Sequence, residues 1–254
     1  MEKVNKIALV TGGSRGLGKN MVEHIAQKRI DIILTYNNKK DEADAVVKDV
    51  ESAGVKAAAL HLNVAKSGTF DHFFTEVKKV LKEKFQTDKF NFLVNNAGVA
   101  LYSPIDKVTE EQFDNIINIH FKGTFFLTQK ALPLIADEGS IINISSGLAR
   151  FAFPGSSIYG STKAAIEQLT RYEAKELGPR KIRVNVVAPG AIETDFGGGR
   201  VRDDKEVNKH VSEATALGRA GLPDDIGGVV AFLCTKEASW INGQRIEVSG
   251  GMML

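Results

Sequence analysis

Ile7-Ala8-Leu9-Val10-Thr11-Gly12-Gly13-Ser14-Arg15-Gly16-Leu17-Gly18 is the stretch that decides how this chain is read. Its apolar opening, Ile7 to Val10, reads as a buried strand, and Leu17 to Ala26 carries a helical pattern. Glycines between the two let the backbone pass close to an anion, while the helix behind them points unpaired N–H groups and the positive end of its dipole at the same place. The glycines at 12, 16 and 18 follow T-G-x-x-x-G-x-G, not the G-x-G-x-x-G of the common dinucleotide fingerprint. Alone, such a string also describes an ordinary turn. The strand before it and the helix after it favour a phosphate site.

Outward from this turn, short β-branched runs alternate with longer helical patterns. Strands are expected near 6–11, 31–36, 57–63, 91–95, 140–145, 183–188 and 245–248, and helices near 16–28, 40–53, 67–85, 109–131, 157–178 and 224–234. The alternation predicts an α/β fold: one domain over 1–254, a Rossmann-type doubly wound parallel sheet of about seven strands with helices on both faces. The exception is 196–215, where Gly197-Gly198-Gly199 precedes a charge-dense stretch from Arg200 to Lys209. That segment is either a solvated surface loop or a substrate lid.

Composition narrows the function classes. Charged residues make up 25% of the 254, with a net charge of +2 from interspersed signs, so neither a nucleic acid nor an anionic membrane is an expected partner. No apolar stretch approaches the roughly 18 residues that span a bilayer. Met1 to Asn5 runs straight into the first strand without an apolar leader, which places the expected location in the cytoplasm. Cys234, the single cysteine, reads as a small core residue, and no metal site is expected.

Tyr159-Gly160-Ser161-Thr162-Lys163 opens the 157–178 helix, so Tyr159 and Lys163, four apart, share a face. A phenol's reference pKa of about 10 is too high for proton exchange near neutrality. A unit positive charge about 4 Å away, at an effective dielectric near 20, contributes at most roughly 4 kcal/mol toward the phenolate, enough to reach it. By itself the pair equally describes a packed ring beside a solvated amine. The strand Ile141 to Ile144 ends in Ser145 and Ser146, and Ser146 falls where ligands gather, outside the carboxyl end of a parallel strand. A hydroxyl there can hold a substrate oxygen, although strand-end serines also simply form turns.

Taken together, these segments resemble the classical short-chain dehydrogenase/reductase family along essentially the whole chain. Thr11 to Gly18 matches its T-G-x-x-x-G-x-G, and Asn95-Asn96-Ala97-Gly98 its N-N-A-G. Tyr159 to Lys163 matches Y-x-x-x-K, Ser146 takes the catalytic serine's place, and Pro189-Gly190-Ala191-Ile192-Glu193-Thr194 matches P-G-x-x-x-T. The resemblance implies a nicotinamide cofactor across the carboxyl edge of the sheet. Gly12, Ser14, Arg15, Gly16, Leu17 and Gly18 would cradle its phosphates, and Tyr36, Asn37 and Asn38 would meet the adenosine ribose. Asn63 and Val64 would meet adenine, with Asn96, Ala97 and Gly98 along one side and Pro189, Gly190, Ile192 and Thr194 at the nicotinamide. Tyr159 would exchange the proton, Ser146 would bond the substrate oxygen, and Lys163 would hold the ribose and stabilise the phenolate. A homotetramer is implied by resemblance alone.

Two positions depart from the family pattern. His120 stands where the family has a fourth catalytic residue, an asparagine thought to hold a water beside the lysine; Asn118, two residues away, lies roughly 200° around a regular helix. His120 is therefore either a replacement in that relay, with an ionisation near 6.5 unless burial moves it, or a packed side chain. Asn63 stands where Asp is common, and its amide oxygen can still accept from adenine. No acid follows the second strand before Asp41, which, with Arg15 and Ser14 in the turn, suits NADP(H), with NAD(H) use still open. Phe151, Phe153 and Phe196 are either pocket wall or core. The resulting expectation is an NADPH-dependent reductase of a ketone or 3-oxoacyl carbonyl, most like the 3-oxoacyl-[acyl-carrier-protein] reductase group. Its alternatives are an NAD-linked alcohol or sugar dehydrogenase and a nucleotide-binding protein without catalysis.

Overall fold

The computed structural model describes residues 6–254; Met1 to Asn5, where the absence of a leader was read, lie outside the described residues. Seven strands form one parallel sheet: β1 (Ile7–Val10), β2 (Asp31–Tyr36), β3 (Ala57–His61), β4 (Phe90–Asn95), β5 (Ile135–Ile144), β6 (Arg183–Pro189) and β7 (Arg245–Val248), in the order β3-β2-β1-β4-β5-β6-β7. The order reverses between β1 and β4. In an open parallel sheet that reversal opens a crevice at the carboxyl ends, and the turn after β1 lies in it.

Helices cover both faces: α1 (Gly16–Gln27), α2 (Lys40–Ser52), α3 (Phe70–Lys84), α4 (Glu110–Ile117), α5 (Gly123–Ala131), α6 (Ser157–Glu176), α7 (Arg200–Asp203), α8 (Lys205–Glu213) and α9 (Pro223–Leu233). Strand residues buried on both sides divide between two apolar layers. Ala8, Val10, Ile32, Leu34 and Phe92 pack with α1, α2 and α9. Ile7, Leu9, Ile33, Phe90 and Leu93 pack with α3 and α5. This is why the central strands read as continuous apolar runs rather than alternating ones.

Three local features differ from the sequence expectation. β5 starts at Ile135, five residues early, because extra residues are bulged out between the Phe90–Ile135 and Phe92–Ser140 pairs, with Glu138 in the left-handed region at φ 62°. The expected helix 109–131 is two α-helices joined by a π-helical segment, Asn118–Lys122. The 196–215 segment is not a plain loop. It folds into α7 and α8, the latter capped by Asp204, whose carboxylate accepts from the N–H groups of Glu206 and Val207. No helix of the described residues is long and apolar enough to cross a membrane.

Candidate active site

The turn after β1 is built from the neighbouring strand ends. Thr11, absent from the predicted site, accepts through Oγ1 from the N–H groups of Asn96 and Ala97 at 2.9 and 3.0 Å. Asn96 returns the contact through Nδ2 to the carbonyls of Thr11 and Gly12, at 2.8 and 3.2 Å. Its amide thus braces the turn itself rather than extending toward a ligand. Thr35, also not foreseen, accepts from the Gly12 N–H at 3.1 Å. A Cβ on Gly18 would collide with the Gly12 carbonyl, so only glycine lets α1 begin this close to the turn.

α1 has no side-chain N-cap and no acid in its first turn. The start of α1 borders a cavity of about 620 Å³ whose lining joins Arg15, Gly16 and Lys19 with the carboxylates of Glu23, Glu193 and Asp195. An uncapped helix start beside such a space fits the phosphates of a dinucleotide. Ser14 is buried, Tyr36 packs edge-on against His61 with ring centroids 5.8 Å apart, and Asn37 and Asn38 are exposed. The Asn63 oxygen expected to meet adenine accepts the Ala65 N–H at 3.0 Å, leaving one lone pair for it. Leu17, in the first turn of α1, packs on the core, and Thr194 Oγ1 accepts the Phe196 N–H at 3.2 Å. Arg15 is not free. Its guanidinium reaches across the cavity to Asp195 at 2.6 Å, a contact the sequence did not announce.

Ser146, Tyr159, Lys163 and His120 come together at the carboxyl edge. Ser146, just after β5, accepts the Leu148 N–H at 3.2 Å, and its hydroxyl is near enough to the Tyr159 phenol to favour its ionised form. One helical turn below Tyr159, Lys163 is buried, with Nζ donating to the Ile144 carbonyl at 2.7 Å and lying 5.6 Å from the Tyr159 ring centroid. Burial lowers the Lys163 pKa to about 7. Tyr159 moves opposite to the sequence expectation. Burial first and the nearby Tyr102 second push its phenol above the ordinary range, and the Ser146 hydroxyl only partly opposes them. The lysine lies beneath the ring, its ammonium held by a backbone carbonyl.

His120 is the buried side chain of the π-helical segment. Its ring stands edge-on to Tyr159, with centroids 5.3 Å apart, and packs so closely on Gly98 that a Cβ there would lie 2.6 Å from the imidazole. Nε2 lies 2.8 Å from the Val99 carbonyl and 3.1 Å from the Val99 N–H. Nε2 thus faces both a donor and an acceptor of Val99, so its role follows the tautomer, and Nδ1 is buried without a protein partner. Burial and the Lys163 charge together lower the His120 pKa to about 3, outweighing the Val99 bond. The ionisation expected near 6.5 is therefore absent from the neutral range, because a charge there would be desolvated beside another cation.

A pH prediction follows from this difference. Lys163 loses its proton as pH rises through about 7, so reductase efficiency should fall across that pH, and His120→Asn should leave the inflection in place. Disappearance of the inflection in His120→Asn would reassign it to the imidazole.

A strand-turn-helix with glycines at a parallel sheet's switch point, beside a serine, tyrosine and lysine at the carboxyl edge, defines an oxidoreductase of the short-chain dehydrogenase/reductase class. A family profile described as enoyl-(acyl carrier protein) reductase matches residues 12–253, and the chain belongs to that family. Among relatives, the 3-oxoacyl-[acyl-carrier-protein] reductase FabG of Staphylococcus epidermidis is 37% identical, covering 99% of this chain and 100% of its own. A hydroxynaphthalene reductase-like protein of Metarhizium brunneum is 33% identical over 97% of this chain and 94% of its own. Among solved structures, angucycline C-6 ketoreductase LanV with bound NADP superposes with a TM-score of 0.93 at 35% identity, covering 98% of this chain and 96% of that one.

Proposed function

We propose that this enzyme reduces a ketone carbonyl to a secondary alcohol, with NADPH as its cofactor. The observation that carries the reading is the convergence of Ser146, Tyr159 and Lys163 on one spot at the carboxyl edge. When bound, NADPH supplies the hydride to the carbonyl carbon. Ser146 holds the substrate oxygen through its hydroxyl, and Tyr159 delivers its proton to that oxygen. A phenol kept protonated by burial is in the correct form for reduction at neutral pH. Lys163 fixes the ring from below, and its charge favours the phenolate left after transfer. The relay reading of His120 rests on Nδ1, its one atom left without a partner.

Cofactor choice is supported by the missing acid after β2, by Arg15, and by the NADP bound to LanV. Both 3-oxoacyl and ring ketones agree with the relatives' names, and the activity is tested by following NADPH oxidation over a carbonyl panel containing each. No oxidation with any member would sink the reductase reading.

The 196–215 segment is read as a lid, because three consecutive glycines with left-handed φ of 63°, 76° and 75° connect Phe196, beside Tyr159, to α7 and α8. Hydrogen exchange across it should slow when NADPH and a product alcohol bind together; unchanged protection would return it to ordinary surface. Half-exposed Phe113, Phe125, Phe126 and Tyr172 on α4, α5 and α6 support the homotetramer. Light scattering should then give a mass of four chains, and a monomer mass would remove that inference.

A further inference from the structure

We infer that the substrate is a fused-ring aromatic ketone, gripped by an aromatic slot of Tyr102, Phe153 and Phe196 above Tyr159; this rests on the reductase reading. The three residues come from three different connections, those after β4, β5 and β6, and each leaves 43 to 50% of its surface open. Phe196 lies 6.1 Å from the Tyr159 ring, tilted 53° to it. Tyr102 is close enough to Tyr159 to raise its pKa electrostatically, and it packs against the next residue of the lid, where a Cβ on Gly197 would lie 3.0 Å from Cε2. The Phe153 connection is tied to the Tyr102 connection by the Ser103 N–H donating to the Gly155 carbonyl at 2.9 Å. Phe151 does not belong to the slot. It packs under the site, where a Cβ on Gly147 would meet its ring at 2.9 Å.

Large apolar side chains left open on separate loops are costly unless something covers them. Phe196 and Tyr102 stand beside the one proton donor, and Phe153 lies open on the connection tied to that of Tyr102, so the covering group is the molecule that receives the proton. A flexible 3-oxoacyl chain gains only apolar contact from such walls and loses its rotamers on binding. A rigid flat ring gains the same contact, adds ring-face and ring-edge attraction, and has little entropy to lose. Arg200, whose guanidinium lies 5.1 Å from the Tyr102 ring centroid, puts a positive charge on the rim and extends the preference to rings bearing hydroxyl groups.

The test compares 2-tetralone with the N-acetylcysteamine thioester of acetoacetate, both at saturating NADPH. The ratio of kcat/KM should favour tetralone by at least about tenfold. Phe196→Leu and Tyr102→Leu, which keep apolar bulk and remove the ring, should each lower that ratio about tenfold, whereas Tyr102→Phe should preserve it. NADPH binding measured by fluorescence checks that each variant is folded. A ratio at or below one in the parent, or a ratio unmoved by both leucine variants, overturns the aromatic assignment while leaving reduction itself intact. Oxidation of NADPH by neither compound overturns the aromatic assignment, while the reductase reading stands or falls with the wider carbonyl panel.

Discussion

Tyr159→Phe should bind NADPH as tightly as the parent and reduce its best ketone at least about 100-fold more slowly. The change removes one hydroxyl and nothing else, and that hydroxyl lies near Ser146 at the edge where the substrate oxygen must lie. Loss of a positioned proton donor costs about 100- to 10,000-fold, whereas the ring that packs beside His120 and over Lys163 is retained. Binding and chemistry should therefore separate: the fluorescence titration stays put while turnover collapses. Parental turnover in this variant, on any good substrate, would show that the proton comes from elsewhere.

The parent should use NADPH at least about tenfold more efficiently than NADH, about 1.4 kcal/mol in the transition state. The structure adds a second arm to that expectation. Arg15 is held by Asp195 in a solvent-exposed pair, and exposed pairs are worth under about 1 kcal/mol, so a phosphate can take the guanidinium over at small cost. Arg15→Ala should weaken NADPH and leave NADH nearly unchanged. Asp195→Asn should do the reverse and tighten NADPH a few-fold, because the competing carboxylate is gone. If NADH served the parent equally well, or if Arg15→Ala weakened both cofactors alike, Arg15 would not be the selecting residue.

The two departures from the family pattern illustrate how far a linear reading reaches. That His120 sits in a helix beside the catalytic segment is visible in the spacing of the chain. That its Nε2 is taken by Val99, twenty-one residues earlier, is not, and neither is the π-helical turn that buries it. Lys163 lies beside Tyr159 as their four-residue spacing implies, and the fold adds what spacing does not hold: the ammonium is buried and donates to a carbonyl from β5, which leaves the lysine lowered and the half-buried tyrosine raised. Asn96 was expected to brace the cofactor side through its backbone and amide, and that the bracing runs to Thr11 and Gly12 is something only the adjacency of β1 and β4 reveals.

What the sequence by itself determined is the local and the periodic: seven strands, the helices between them, the glycine turn, and the Tyr159–Lys163 face. Each depends on residues within a few positions of one another, where backbone geometry leaves few choices. The tertiary structure alone decided which residues meet across the crevice: Arg15 with Asp195, Tyr102 with Gly197, His120 with Val99, Thr11 with Asn96. These contacts join segments 21 to 180 residues apart, and no periodicity along the chain encodes them. They arise because the parallel sheet brings the carboxyl ends of all its strands to one edge, where loops with no pattern of their own are packed against each other.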